Sequence, residues 1–167
     1  MTRAIVYCSQ TGSMLDKMAR GFALFMNWFD GVCALVCGLW MMASALWALP
    51  LSWNDWMPVS LLDPLPLPDF MKSDFLWPGL ALVLVNGVPN VVALMLRFRG
   101  NRRASYVWSC IAGALLIAWT AFEMAFIPNG LSVFYLVLGV MQLLASARAF
   151  AYCDYDYDHD RDRLHAS

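Results

Sequence analysis

Glu123 is the only glutamate in the chain, and it ends an otherwise charge-free apolar run, residues 104–122. A carboxyl group in such a run is expensive to keep ionised, which makes it a candidate for proton or ion coupling. Its place five residues before Pro128 gives the competing reading, a carboxylate that reaches water at a helix end. Trp119, one turn earlier, shares its face. A second group consists of amides: Asn86 and Asn90 in one apolar run, Gln142 in another. Asn90 stands about 10 Å along a helix from Arg97, and Gln142 about 9 Å from Arg148, so the two share a depth and can meet. Asn27 and Asp30 are placed to join them. Pro89, next to Asn90, removes a backbone hydrogen bond and is expected to kink its helix there. A kink beside clustered amides suits a ligand site, and it equally suits helices that pack through hydrogen bonds. Glu123, Asn86, Asn90, Gln142 and Asp30 are therefore the candidate intramembrane polar site.

The elements that position these groups are legible in the composition. Of 167 residues, 61% are hydrophobic and only 14% charged, against about 25% charged in a soluble domain. That balance excludes a disordered chain, a basic nucleic-acid binder and an ordinary cytosolic enzyme. Charge-free windows predict four membrane helices, about 31–49, 75–96, 104–127 and 131–147, each near the 20 residues that a hydrocarbon core requires. The expected fold is all-α: a polytopic membrane protein built as a four-transmembrane-helix bundle (residues 21–147), with a Pro/Trp-rich interfacial loop between helices 1 and 2. Pro128-Asn129-Gly130 predicts a tight hairpin between the last two spans.

Each span carries a row of small or polar residues at alternating steps of three and four, the seam of a left-handed bundle. The first row reads Asn27, Asp30, Ala34, Cys37, Met41, Ser44, Ala48, and the second Gly79, Val83, Asn86, Asn90, Ala93, Arg97. The third reads Ser105, Ser109, Gly113, Leu116, Thr120, Glu123, and the fourth Ser132, Tyr135, Gly139, Gln142, Ser146. Arg97, Arg99, Arg102 and Arg103 lie in one link, whereas the link over residues 50–77 has Lys72 against four aspartates. The positive-inside rule then puts both termini in the cytoplasm. Trp53, Trp56, Phe70, Phe75 and Trp77, interleaved with prolines, predict a short cap at the outer headgroup level.

Before the first span, residues 1–20 form a cytoplasmic segment in which Ser13-x-x-Asp16 reads as a helix cap. The amphipathic helix it opens runs into span one. The same stretch, residues 4–19 (AIVYCSQTGSMLDKMA), also resembles the first strand and phosphate loop of flavodoxins. That resemblance implies that Ser9, Thr11, Gly12 and Ser13 cradle a phosphate, although Met14 stands where the family has threonine.

After the last span, residues 148–167 read as a flexible cytoplasmic tail. Its alternating aspartates lack the glycine turn and spacing of a calcium loop, so no metal site is assigned. The five scattered cysteines do not predict a disulfide framework, and Cys33 and Cys37 read as small packing residues. With the only histidines in the tail, bis-histidine haem is excluded, and no cofactor is expected.

The segments VNGVPN, WTAFEMAFIPNG and FYLVLGVMQ, together with the Arg-rich link, resemble small bacterial four-helix integral membrane proteins of unassigned function. That resemblance implies a bacterial inner (plasma) membrane. The expectation is a non-enzymatic accessory or interaction subunit, whose partners are the lipid bilayer and a membrane or cytoplasmic protein, with a homodimer also open. The alternatives are a small transporter or channel subunit using the polar site, and a redox-linked component resting on the flavodoxin-like loop.

Overall fold

The Ser13 hydroxyl accepts the Asp16 amide at 3.3 Å, and the Asp16 carboxylate accepts the Ser13 amide at 3.0 Å. This reciprocal cap opens α1 (Met14–Leu46), one continuous helix from the amphipathic start through the first apolar span. The computed structural model describes residues 13–47 and 49–165, with side chains as far as Cys153. Three more long helices follow: α2 (Leu76–Phe98), α3 (Arg102–Phe126) and α4 (Gly130–His165). Among the described residues there is no strand. All four helices are long and apolar enough to cross a membrane; α2 and α3 match their predicted windows to within two residues, whereas α1 begins at Met14 and α4 runs past residue 147.

Local chemistry sets the turns. Gly100 takes φ 81°, open to glycine at little cost, and Asn101 then caps α3 by accepting the Ala104 amide at 3.2 Å. At the other hairpin, Asn129 Oδ1 accepts the Ser132 amide at 2.8 Å, so the predicted turn at Pro128-Asn129-Gly130 forms. Pro89 has no amide to give Val85, and its ring would crowd that carbonyl in a regular helix. The strain is taken up by a π-helical turn, Val83–Gly87, closed by the Val88 amide on the Val83 carbonyl.

The helices form an up-down ring in which α1 packs on α2 and α4, and α3 on α2 and α4. Two close backbone crossings hold it. A Cβ at Gly113 would lie 2.9 Å from the Leu143 amide nitrogen, and one at Gly38 would lie 2.8 Å from the Gly79 carbonyl. The first crossing lies on the predicted rows. The second corrects the first row, because α1 meets α2 through Gly38, while Cys37 stays half-buried and free. At this one turn the closest approach falls a residue round the helix, where the missing side chain admits the neighbour, and the predicted row resumes at Met41.

Two further expectations are corrected. The last helix does not give way to a tail at residue 148. No glycine or proline interrupts it, Arg148 Nε pairs with Asp16 Oδ1 at 2.9 Å, and Ala149 and Cys153 are buried against Ala23 and Tyr106. Its backbone continues helical to His165. Cys153, in addition, is disulfide-bonded.

Among its described residues, the link between α1 and α2 contains two 3₁₀ turns, Trp53–Asp55 and Val59–Leu62, and a single helical turn, Asp69–Lys72. It folds over the bundle end, as its prolines predict. Phe75 is buried with Leu62 and Met41, Ser44 Oγ accepts the Trp53 amide at 3.0 Å, and Trp40 Nε1 donates to the Leu51 carbonyl at 3.1 Å. Trp56 and Phe70 remain exposed.

Candidate functional site

Each helix brings one polar side chain to the same level. Asn27 is seven residues from Arg20, Asn90 seven from Arg97, Ser109 seven from Arg102 and Gln142 six from Arg148, about 10 Å from the basic end in every case. The seams turn these residues inward, and a hydrogen-bonded layer closes across the bundle. Asn90 Nδ2 donates to Asp30 Oδ2 at 2.7 Å and to the Asn86 carbonyl at 2.8 Å. Gln142 Nε2 donates to Asn90 Oδ1 at 2.9 Å and to Asn27 Oδ1 at 3.1 Å. Ser109 Oγ donates to Asn27 Oδ1 at 2.8 Å and lies 2.7 Å from Ser146 Oγ. Asn90, Ser109, Gln142 and Ser146 are fully buried.

Four of the five predicted site residues are therefore together: Asp30, Asn86, Asn90 and Gln142. Two buried acceptors in this layer, Asn86 Oδ1 and Gln142 Oε1, have no hydrogen-bond partner. The layer also holds Ser109 and Ser146, which sequence reasoning placed in the seams but did not assign to the site. The signal for Ser109 was there, since it falls at the common depth; Ser146 lies one turn nearer the basic end than Gln142 and joins through Ser109.

Glu123 stands apart. It accepts Trp119 Nε1 at 2.7 Å and Ser132 Oγ at 2.9 Å, half-buried at the α3–α4 hairpin. Ser132 is ten residues from Gln142, about 15 Å along α4. One polar site joining Glu123 to the amides is thus not what the helices build. Trp119 was legible as its neighbour, but Ser132 required the pairing of α3 with α4.

Of the phosphate-loop residues, Ser9, Thr11 and Gly12 lie outside the described residues. Ser13 is the N-cap of α1, and its hydroxyl also donates to Asp16 Oδ2 at 2.6 Å. Among the described residues no group of three or more His, Cys, Asp or Glu is arranged to hold a metal.

At the basic end, arginines meet rings. Arg20 lies over Tyr152 at 5.1 Å from the centroid, Arg103 over Phe150 at 5.5 Å, and Arg97 over Tyr106 at 5.0 Å while also donating to the Tyr106 hydroxyl. No protein-family model matches the chain, and neither the curated proteins nor the solved structures contain a match to it.

Proposed function

We propose that this chain is a multi-pass protein of the bacterial inner membrane, both ends cytoplasmic, acting as a non-enzymatic accessory or interaction subunit. Its exterior supports the membrane setting. Val36, Leu39, Leu84, Val137 and Leu144, in the middle of their helices, are each more than half exposed. In water such a belt would exceed the apolar patches a monomer tolerates, whereas against lipid it costs nothing. The arginine–aromatic end and the Asp-bearing, tryptophan-rich end support the orientation. The bacterial assignment rests on the likeness of VNGVPN, WTAFEMAFIPNG and FYLVLGVMQ to small bacterial membrane proteins. A carboxyl-terminal reporter active only outside the cytoplasm should stay silent; activity there would overturn the orientation.

One observation carries the accessory role. In the polar layer Asn90, Gln142 and Ser109 donate to neighbouring helices, and Glu123 is held within its own hairpin. The polar groups thereby serve packing, and the outer faces of the helices are left to recruit a membrane or cytoplasmic protein or a second copy. In proteoliposomes, wild type, Asp30→Asn and Glu123→Gln should all show proton and sodium flux equal to empty vesicles. Flux in wild type that either substitution abolishes would establish the transporter reading instead. That second reading is favoured by the unpartnered Asn86 Oδ1 and Gln142 Oε1 in the layer that contains Asp30, an all-oxygen set suited to a cation or water.

A further inference from the structure

Amides and hydroxyls each bring donors and acceptors, so a layer built from them alone can satisfy itself. The layer across this bundle contains one residue of another kind. Asp30, when ionised, adds two acceptor oxygens and no donor, and the resulting shortage is visible in the bonding. Asn90 Nδ2 has committed its hydrogens to Asp30 Oδ2 and the Asn86 carbonyl, and Gln142 Nε2 its own to Asn90 Oδ1 and Asn27 Oδ1. Three oxygens are left over. Asn86 Oδ1 and Gln142 Oε1 are buried without a partner, and Asp30 Oδ1 receives no hydrogen bond from the described residues. They come from three helices, α2, α4 and α1, yet each of the three residues is bonded directly to Asn90. None of the three is more than 4% exposed, so bulk water does not meet the need.

Rearranging the amides does not cure the shortage. Turning Gln142 over would set its oxygen against Asn27 Oδ1 and Asn90 Oδ1. Nor does any lysine, arginine or histidine among the described residues pair with Asp30. An ionised carboxylate buried alone is costly. A proton would remove the charge and, as an O–H, reach one amide oxygen at most. A single water offers two hydrogens, leaving the charge and one oxygen unmet. A cation answers the charge and all three oxygens together. Oxygen ligands suit a hard cation, and one carboxylate balances one positive charge, whereas calcium sites gather several. We propose that Asp30, Asn86 and Gln142 hold one alkali-metal cation inside the bundle, bound by carboxylate and amide oxygens of α1, α2 and α4. This goes beyond the accessory reading, because a cation that stays bound fastens three helices together without crossing the membrane.

The test uses the purified full-length chain in mild detergent, unfolded reversibly in sodium, potassium or choline chloride at equal ionic strength. Choline is too large for the site. About 100 mM of sodium or potassium should lower the unfolding constant about tenfold relative to choline, the response of one site at about ten times its dissociation constant. Radiolabelled sodium or rubidium should be retained by the folded chain and displaced by the unlabelled ion but not by choline. Asp30→Asn keeps an acceptor for Asn90 and removes the charge; Asn86→Ala removes an oxygen that makes no hydrogen bond. In each variant the response to the cation should shrink to less than about twofold, while helicity in choline stays that of wild type. If Asp30→Asn fails to fold, Asn86→Ala decides. Equal stability of wild type in all three salts would overturn the proposal and leave the oxygens to water or a proton. An undiminished response in either variant would overturn it too, by placing the cation elsewhere. Binding in detergent and flux in vesicles fail separately: a cation response without flux supports this site and the accessory reading together, and no response with no flux sinks the site alone.

Discussion

Asn90→Leu should destabilise the bundle by about 3 kcal/mol, the largest effect expected of a single side chain in its polar layer. Asn90 is the residue through which α1, α2 and α4 are joined, with Asp30 and the Asn86 carbonyl as acceptors and Gln142 as donor. An interhelical hydrogen bond in lipid contributes about 0.6 kcal/mol on average, and the best about 1.7. Two bonds of that kind, to Asp30 and from Gln142, give about 1 kcal/mol. The bond to the Asp30 carboxyl is the stronger member, since losing the donor leaves that group buried without the amide that faces it. Leucine branches at the same carbon as asparagine and is the larger side chain, so none of the effect comes from a cavity, and overpacking adds to it. Reversible unfolding in mixed micelles measures the loss. The double variant Asp30→Asn with Asn90→Leu should recover part of it, because the orphaned carboxyl is gone. A loss below about 0.5 kcal/mol would show that Asn90 does not tie the helices together.

Gly79→Leu should prevent the native bundle from forming, and Gly79→Ala should cost about 1–2 kcal/mol. A Cβ at Gly79 falls 2.7 Å from the Gly38 carbonyl oxygen and 2.8 Å from Met41 Cβ. The reciprocal position is equally closed, since a Cβ at Gly38 meets the Gly79 carbonyl at 2.8 Å and Val83 at 2.6 Å. Neither backbone can yield unless α1 and α2 separate, and that would open the cluster of Met41, Leu62 and Phe75 directly beyond the crossing. The higher helix propensity of alanine offsets up to about 1 kcal/mol of the overpacking, which is why the smaller substitution survives. Gly21→Ala, made in open space, should change stability in the opposite direction, a gain approaching about 1 kcal/mol. Unfolding midpoints of the three variants decide the matter; an equal shift at Gly79 and Gly21 would mean that propensity rather than backbone approach governs both.

Much of this molecule follows from patterns that run along one helix at a time. Four charge-free runs predict four rods, because backbone amides in an apolar setting must bond within their own segment. The cap at Ser13 and Asp16, the turn at Asn129, and the rows through Ser109, Gly113, Gly139 and Gln142 depend on neighbours within one or two turns, and all appear where the residues placed them. Depth is equally one-dimensional. A fixed rise per residue brings Asn90 and Gln142 to one level before any helix is paired.

Rotation and partnership are not one-dimensional, and tertiary structure decided them. Cys37 and Gly38 differ by one step of the helix; only the approach of Gly79 selects Gly38. Glu123 belongs to the predicted row of α3, yet its partner is Ser132 at the hairpin, and about 15 Å of α4 separates it from Gln142. Pro89 announces a disturbance without stating its form, and the π turn that absorbs it lies packed against α1. The end of α4 is the clearest case. Its acidic residues read as a solvated tail, but Arg148 reaches Asp16 at the far end of the sequence and Cys153 is buried beside Ala23. Local pattern thus determined where each helix runs and how deep its polar groups lie. Which faces meet was decided by the sites where absent side chains let two backbones approach.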